Sequence, residues 1–266
     1  MDALRQVEGW PAETVAVGVL RDGEEVAAQG PRERVFRWAS VTKPATALAA
    51  LVAAEEGVVD LDQPAGPPGS TVRHLLAHAS GLPFDGGTPI AEPGRRRIYS
   101  NTGFDVLAET VAEAAEMPFA EYLAAAVLRP LAMRAELRGS PAAEMHGTLD
   151  DLLLLGAELQ RPRLIAPETW AEATSVQFPG LDGVLPDVGR MSPNDWGLGV
   201  ELRDEKSPHW TGTRNSPRTF GHFGGSGTFL WVDPDAGVAL ACLTDLDFGP
   251  WALEAWPALS DAVLTA

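Results

Sequence analysis

The sequence contains a single cysteine, few basic residues and no long apolar run. One cysteine cannot form an internal disulfide, and Cys242 lies in the apolar run Val238–Leu243, which is typical of a buried strand. Twenty Lys and Arg residues stand against 37 Asp and Glu residues, which gives a net charge of -17. This field repels phosphate backbones and anionic membrane surfaces. We therefore expect neither nucleic acid nor a membrane as a partner.

The first ten residues, Met1 to Trp10, lack the basic and apolar regions of a secretory signal. No apolar stretch of the sequence is long enough to span a bilayer. These absences predict a cytoplasmic protein.

A zinc site is not favoured by the histidine pattern. His74 and His78 have the spacing of a zinc-binding helix, but Leu75 stands where a metalloprotease of that type carries its glutamate. No third ligand is evident, so a structural role is predicted for both histidines, with no metal and no organic cofactor.

Among 266 residues, 45% are hydrophobic and 21% are charged, which indicates a folded globular chain. Val15–Leu20 and Glu25–Gln29 predict a hairpin that turns at Asp22-Gly23, and strand-like segments return after Trp196. The middle of the chain alternates helical patterns with loops. The prediction is an α/β fold in which residues 1–39 and 196–266 form one sheet lobe and residues 40–195 form an inserted helical lobe. The last segment, residues 251–264, is apolar. Predicted helices lie at 44–56, 72–78, 102–116, 119–127, 149–159 and 167–174, and predicted strands at 197–202, 219–222, 227–232 and 238–244.

A hydroxyl and an ammonium group stand three residues apart in Ser40-Val-Thr-Lys43. On a helix this spacing places both on one face. A serine becomes a good nucleophile when a neighbour takes its proton, and a helix N-terminus favours the negative charge that then develops. Ser40 is thus a candidate nucleophile and Lys43 a candidate base, although the pattern alone is short and common.

Tyr99-Ser-Asn101 supplies a second candidate element. Residues two apart in an extended segment point to the same side, so both side chains can face one cleft. A tyrosine with an ordinary pKa of ~10 needs help to act as a base, and a nearby ammonium such as that of Lys43 would favour the phenolate. The alternative is a turn tyrosine followed by Asn101 as a helix cap.

The third element is a glycine-rich segment, Gly221-His-Phe-Gly-Gly-Ser-Gly227. It follows a strand pattern and lacks bulky side chains, which suits a backbone that a substrate approaches closely. A tight turn or a bulge is the alternative interpretation.

Taken in order, the three motifs resemble those of the class C β-lactamase-related family of serine hydrolases, which includes D,D-peptidases, D-aminopeptidases and esterases. The connecting segments Val72–Pro83, Glu92–Gly103, Arg129–Met133, Gly147–Asp151, Trp196–Gly199 and Val232–Pro234 are also similar, so the resemblance runs from about Phe36 to Thr244. It implies a β-lactamase/transpeptidase-like fold with an antiparallel sheet flanked by helices.

The resemblance also implies roles for individual residues. Ser40 would be acylated, Lys43 and Tyr99 would share proton transfer, and Asn101 would contact a substrate amide or orient Lys43. Which of Lys43 and Tyr99 is the base stays open. The other implied substrate-binding residues are His222, Gly224 and Gly225, and the backbone amides of Ser40 and Gly225 would form the oxyanion hole.

Two departures from the family pattern bear on substrate. True β-lactamases usually have Lys-Thr-Gly where this chain has His222-Phe-Gly224, so a permanent cation is replaced by a group that gains charge only as pH falls. The chain is also shorter than most relatives, which predicts a more open cleft. We expect a hydrolase of small ester or amide substrates, of esterase or D-amino-acid peptidase type. A β-lactamase or D,D-peptidase is one alternative, and a non-catalytic ligand-binding or sensor protein of the same fold is another.

The sequence leaves two alternatives for the role of each of two further groups of residues. Arg95-Arg-Arg97 precedes Tyr99 and either holds a substrate carboxylate or forms a solvated basic turn, which is the favoured interpretation. Trp196, Trp210 and Trp231 either line the cleft or pack in the core, and packing is expected for at least two of them. The sequence does not define the oligomeric state.

Overall fold

The computed structural model describes residues 1–266, and its centre is a six-stranded sheet in which every neighbouring pair is antiparallel. The strand order is β2-β1-β11-β10-β9-β8. The strands are β1 Val15–Arg21, β2 Glu24–Gln29, β8 Glu201–Leu202, β9 Phe220–Gly224, β10 Thr228–Asp233 and β11 Val238–Thr244. A smaller three-stranded sheet contains β3 Phe36–Arg37, β4 Glu136–Leu137 and β5 Met145–Gly147, and a two-stranded hairpin contains β6 Gly183–Leu185 and β7 Gly189–Met191.

Both ends of the chain contribute to the large sheet, as predicted. β1 pairs with β11 from Val15 opposite Thr244 to Arg21 opposite Val238. The predicted hairpin joins β1 to β2, and its turn residues Asp22 and Gly23 both have positive φ, 54° and 85°. Two successive positive φ values match the right-handed twist of the paired strands.

The chain has seven α-helices, of which the first six lie in its middle part. They are α1 Thr42–Glu55, α2 Val72–Leu76, α3 Asn101–Ala115, α4 Phe119–Leu123, α5 Leu149–Gln160, α6 Pro167–Ala173 and α7 Pro250–Leu264. Short 3-10 segments occupy Asp2–Gly9 and Ala39–Val41, and a π-helical turn, Ala124–Leu128, continues α4. The apolar C-terminal segment is therefore a helix.

Alternate residues of the central strands face two different cores, which is the period of an extended strand. In β1, Ala16 and Leu20 join the larger core with α1, α3 and α5, whereas Val17 and Val19 join a second core. The second core includes Leu4 from the first 3-10 segment and residues of α7. Cys242 is buried in β11 on this second side, as predicted.

Helix α5 packs directly on the sheet. Leu153 lies over Gly18 of β1, and Gly156 faces Leu20 and Leu230. Helix α1 is buried along almost its whole length, from Thr42 to Ala53, as expected for a helix that is apolar on all sides. The division into lobes at residues 39/40 and 195/196 remains a prediction.

The predicted strand at residues 197–202 is wrong except for its last two residues, Glu201–Leu202. Gly199 has φ +82°, and a Cβ added there would stand 2.0 Å from the Cβ of Ala47 in α1. The alternating apolar pattern of this segment thus reflects close packing on a helix. None of the helices combines the length and apolar character needed to cross a membrane.

Candidate active site

Ser40 lies in the 3-10 turn that leads into α1, at the place that the sequence predicts. The preceding residue, Ala39, is buried and has φ +45°, a left-handed conformation that costs an L-residue about 1–2 kcal/mol. Strained backbone of this kind persists where the surrounding structure fixes it. The turn therefore holds Ser40 in a defined position at the start of a buried helix.

The Lys43 ammonium nitrogen lies 3.3 Å from the Ser40 hydroxyl oxygen. It also donates to Asn101 Oδ1 at 2.7 Å and to the carbonyl oxygen of Ala142 at 3.0 Å. The Lys43 side chain is fully buried and forms no ion pair with a carboxylate. Asn101 is the first residue of α3, and the helix cap is Ser100, so the alternative of Asn101 as a cap is wrong.

Burial lowers the pKa of Lys43 to about 7, and the more distant carboxylates Asp105 and Asp85 only partly oppose this effect. Desolvation disfavours the charged form of a lysine. The free amine is therefore populated at neutral pH, and this form has a lone pair available beside Ser40.

Tyr99 is half-buried and borders the cavity described below. The Lys43 nitrogen lies 4.6 Å from the centre of the Tyr99 ring. Burial raises the pKa of Tyr99 well above its ordinary value, and a hydrogen bond from Ser40 opposes the rise only in part. The expectation that Lys43 favours a Tyr99 phenolate is therefore wrong, because burial dominates.

His222 lies on β9 with Nδ1 2.7 Å from the carbonyl oxygen of Phe223 and Nε2 3.4 Å from the Tyr99 hydroxyl. Because a carbonyl only accepts, Nδ1 carries the proton and Nε2 is free to accept from Tyr99. Burial and the neighbouring Lys43 lower the pKa of His222 to about 3. The expectation that His222 gains charge in the ordinary working range is therefore wrong.

The segment that carries Tyr99 and Asn101 is fixed by His78, one of the two histidines for which the sequence predicts a structural role. The Ser100 backbone amide donates to His78 Nδ1 at 3.1 Å, and the Ser100 hydroxyl donates to the carbonyl of Pro83 at 2.6 Å. The His78 ring packs against Tyr99, with ring centroids 4.6 Å apart. His78 thus orients the tyrosine from behind, and His74 instead stacks on Phe178.

The two glycines after Phe223 have different surroundings. A Cβ at Gly224 would lie 2.5 Å from both the Trp38 carbonyl oxygen and Thr228 Oγ1, so this glycine lets β9 approach the turn that holds Ser40. A Cβ at Gly225 would meet nothing within 4 Å. Gly225 is exposed and borders the cavity, whereas Gly224 is buried.

A cavity of about 110 Å³ brings most of these residues together. It is lined by Ser40, Phe84, Tyr99, Leu185, Pro186, Asp187, Trp196, Glu201, His222, Phe223 and Gly225. Lys43 and Asn101 lie beneath it, in contact with each other. Trp196 lines the cavity, while Trp210 and Trp231 are buried in the second core, so the prediction of packing for two of the three tryptophans is confirmed.

Glu201 is a buried carboxylate at the cavity wall that sequence analysis missed. It forms an ion pair with Lys206, accepts from His209 Nε2 at 2.9 Å and accepts from Trp210 Nε1 at 3.0 Å. Burial alone would raise the pKa of Glu201, but His209 and Lys206 outweigh it and lower the pKa to about 2. Glu201, Lys206, His209 and Trp210 lie within ten positions of one another in the sequence. This proximity was the sequence signal that could have indicated that they form one group.

The structure contains no cluster of three or more histidine, cysteine or acidic side chains placed to hold a metal ion. The chemistry that the arrangement itself offers is nucleophilic, because a serine hydroxyl lies between a lysine amine and a tyrosine hydroxyl.

The chain is similar to a solved structure over almost its whole length and to two curated proteins over part of its length. A crystal structure of a β-lactamase from Mycobacterium bovis is 55% identical, covers 99% of this chain and 98% of its own, and superposes with a TM-score of 0.98. Penicillin-binding protein 4* of Bacillus subtilis is 30% identical over 37% of this chain and 29% of its own length. The D-alanyl-D-alanine-carboxypeptidase/endopeptidase AmpH of Escherichia coli K12 is 28% identical over 50% of this chain and 43% of its own. The chain thus spans less than half the length of these two curated relatives.

The family profile named Beta-lactamase matches residues 7–136 and 134–264, which together include Ser40, Lys43, Tyr99, Asn101 and His222. The antiparallel sheet, the surrounding helices and the order of the motifs agree with this match. The chain belongs to the β-lactamase family of serine hydrolases.

Proposed function

We propose that the protein hydrolyses small ester or amide substrates through an acyl-enzyme on Ser40, with the free amine of Lys43 as the general base. The observation that carries the proposal is the buried Lys43 nitrogen, 3.3 Å from the Ser40 hydroxyl and without a carboxylate partner. A general base works best when its pKa lies near the operating pH. Burial brings the pKa of Lys43 to about 7 and so meets this condition.

In the first step the Lys43 amine removes the Ser40 proton while the serine oxygen attacks the substrate carbonyl carbon. Lys43 then carries a positive charge, which Asn101 Oδ1 and the Ala142 carbonyl stabilise by accepting its hydrogen bonds. The negative charge on the carbonyl oxygen requires donors, and we assign the backbone amides of Ser40 and Gly225 to this role. Both residues border the cavity.

The collapse of this intermediate breaks the bond to the leaving group, which needs a proton when it is an alkoxide or an amine. Tyr99 is placed for this task because it borders the cavity, whereas Lys43 lies beneath it. The high pKa of Tyr99 keeps the phenol protonated until the leaving group develops charge. Lys43 returns a proton to Tyr99, and water then hydrolyses the acyl-enzyme by the same steps in reverse.

The neutral His222 bears on the choice between esters and β-lactams. A β-lactam carries a carboxylate, which a lysine at this position would bind, and His222 offers no charge at neutral pH. We therefore place neutral esters and amides ahead of β-lactams. β-Lactam hydrolysis is the second candidate, because the 55% identical M. bovis protein is described as a β-lactamase.

A labelling experiment separates a catalyst from an inert binding protein. A fluorophosphonate probe is expected to label the wild-type protein at Ser40 and not to label Ser40→Ala. Ser226→Ala serves as the matched control, because the Ser226 hydroxyl is engaged in a hydrogen bond to the Arg37 carbonyl. Labelling that persists in Ser40→Ala contradicts the proposed nucleophile, and no labelling of the wild type favours the non-catalytic alternative.

The substrate class is decided by comparing kcat/KM for 4-nitrophenyl acetate and for nitrocefin on the same preparation. The proposal expects the ester to be turned over and nitrocefin to be turned over weakly or not at all. A higher kcat/KM for nitrocefin would support the second candidate.

A further inference from the structure

An apolar groove of about 370 Å³ lies beside the catalytic cavity and shares Phe84, Tyr99 and Pro186 with it. Ile90, Ile98 and Val184 extend its walls. Ile90, Val184 and Phe84 are the three most exposed large apolar side chains of the chain, at 63%, 55% and 51%. Apolar side chains gathered in this way mark a binding surface more often than scattered ones do.

The far end of this groove is cationic. Arg96 and Val184 also line an adjoining depression of about 460 Å³, together with Arg95, Arg190 and Asp182. Arg190 is paired with Asp182 at 3.3 Å, whereas Arg95 and Arg96 are exposed and form no ion pair. Three guanidinium groups thus surround one carboxylate, on a chain whose net charge is -17. An excess of positive charge in this place favours an anionic group on a ligand.

The third arginine of the run has a different role. Arg97 is buried and donates to the backbone carbonyls of Ala77, Gln177 and Asn194. It fixes three chain segments behind the groove and is not available to a ligand. The favoured interpretation of residues 95–97 as a solvated turn therefore applies only to Arg95 and Arg96, and these two lie at the end of a groove that leads to Ser40.

We infer that this groove binds the leaving-group portion of the substrate, and that the preferred substrate is an ester whose alcohol carries an apolar chain of several carbons ending in an anionic group. The assignment rests on the proposed function, in which Tyr99 protonates the leaving group. Tyr99 lines both the cavity and the groove, so the group that it protonates leaves toward Phe84, Ile90 and Val184. The chain then covers the apolar walls and its anionic end reaches Arg95 and Arg96.

A series of acetate esters with a constant acyl group tests this inference. We expect kcat/KM to rise about two- to fourfold per methylene from ethyl to hexyl acetate, as burial of each CH₂ requires. We expect 6-acetoxyhexanoate to exceed its methyl ester, methyl 6-acetoxyhexanoate, by about three- to tenfold, the range for one or two exposed ion pairs. This second ratio should fall toward one in 1 M NaCl, where screening is strong.

Variants test which residues cause the preference for the carboxylate and which cause the dependence on chain length. The double variant Arg95→Gln/Arg96→Gln is expected to bring the ratio of acid to methyl ester close to one, while Arg129→Gln, which removes an exposed arginine outside the groove, keeps it. Ile90→Ser/Val184→Ser is expected to flatten the dependence on chain length. Both variants change exposed side chains, so folding is retained.

The outcomes separate this inference from the proposed function. If the wild type hydrolyses 4-nitrophenyl acetate but shows neither the chain-length rise nor the carboxylate preference, the groove assignment is wrong and the proposed function stands. If no ester is hydrolysed, the proposed function is wrong, and the groove is tested by NMR titration of Ser40→Ala with 6-ethoxyhexanoate. Shifts confined to residues of the groove, and lost in the double arginine variant, support the site, and their absence overturns it.

Discussion

The Lys43 nitrogen lies 3.3 Å from the Ser40 oxygen and has no carboxylate as a counter-ion. Its remaining partners, Asn101 Oδ1 and the Ala142 carbonyl, are neutral. Neutral acceptors hold the nitrogen in place without fully compensating the burial of its charge. These contacts set the position of the nitrogen and burial lowers its pKa, and the pairing of Lys43 with Ser40 is the basis of the mechanism.

Replacing Tyr99 with phenylalanine is expected to affect substrates according to their leaving groups. For ethyl acetate, whose alkoxide needs a proton, Tyr99→Phe should lower kcat at least about a hundredfold. For 4-nitrophenyl acetate, whose phenolate leaves unaided, the loss should stay below about tenfold. Equal losses for both esters would assign Tyr99 to proton removal from Ser40.

The double variant Lys43→Ala/Tyr99→Phe should lose less activity than the product of the two single losses, since both groups serve one proton path.

Alanine at the two neighbouring glycines should give opposite results. Gly224→Ala introduces a methyl group 2.5 Å from the Trp38 carbonyl oxygen and should lower the free energy of unfolding by about 1–3 kcal/mol. Gly225→Ala meets no neighbour and should leave that free energy within about 0.5 kcal/mol. Because its methyl group stands at the cavity border, however, Gly225→Ala should lower kcat/KM at least about tenfold. Urea unfolding and steady-state kinetics on both variants check this pair, and an active, unstable Gly225→Ala would contradict it.

These two glycines also show what the sequence could and could not predict. Ser40 and Lys43 are three residues apart, and Tyr99 and Asn101 two apart, so local geometry and the resemblance already predict them as groups. Gly224 and Gly225 look alike in the sequence, and only the packing of β9 against Trp38 distinguishes them. In the same way, the depressed pKa of His222 comes from burial beside Lys43, a residue 179 positions earlier in the chain. Effects of burial and of distant neighbours are not visible in motif spacing.

Removing the charge of Glu201 is expected to destabilise the fold, because Lys206 and His209 lose their buried partner. Glu201→Gln should lower the free energy of unfolding by about 3–5 kcal/mol, and Glu254→Gln, on the exposed surface of α7, should not.

The pH dependence of stability gives a second test of Glu201. Its pKa is lowered in the folded state to about 2, so its contribution is present above its ordinary pKa of 4.5 and is lost as pH falls through 2. Thermal unfolding of the wild type should therefore show a loss of stability between pH 4.5 and 2 that is smaller in Glu201→Gln. Identical profiles would contradict the assigned ion pair.

His222 is expected to stay neutral throughout the range in which the protein works. Since its pKa is about 3, the ratio of kcat/KM for 6-acetoxyhexanoate to that for its methyl ester should be constant from pH 5.5 to 8.5. The arginines of the groove do not titrate in this range, so they add no slope. If the ratio rises as pH falls, and His222→Lys makes it constant, then His222 gains charge in this range and favours the anionic substrate.

The most direct test of the account is the pH dependence of acylation, measured as kcat/KM for 4-nitrophenyl acetate with a correction for spontaneous hydrolysis. The free amine of Lys43 is the reactive form and its pKa is lowered to about 7, so the rate should rise with pH and reach a plateau with an apparent pKa near 7. Lys43→Arg, which keeps a positive charge that cannot be removed, should lose at least about a hundredfold and show no such rise. A rise centred near the ordinary lysine pKa of 10.5, or an unchanged profile in Lys43→Arg, would contradict the assignment of Lys43 as the base for Ser40.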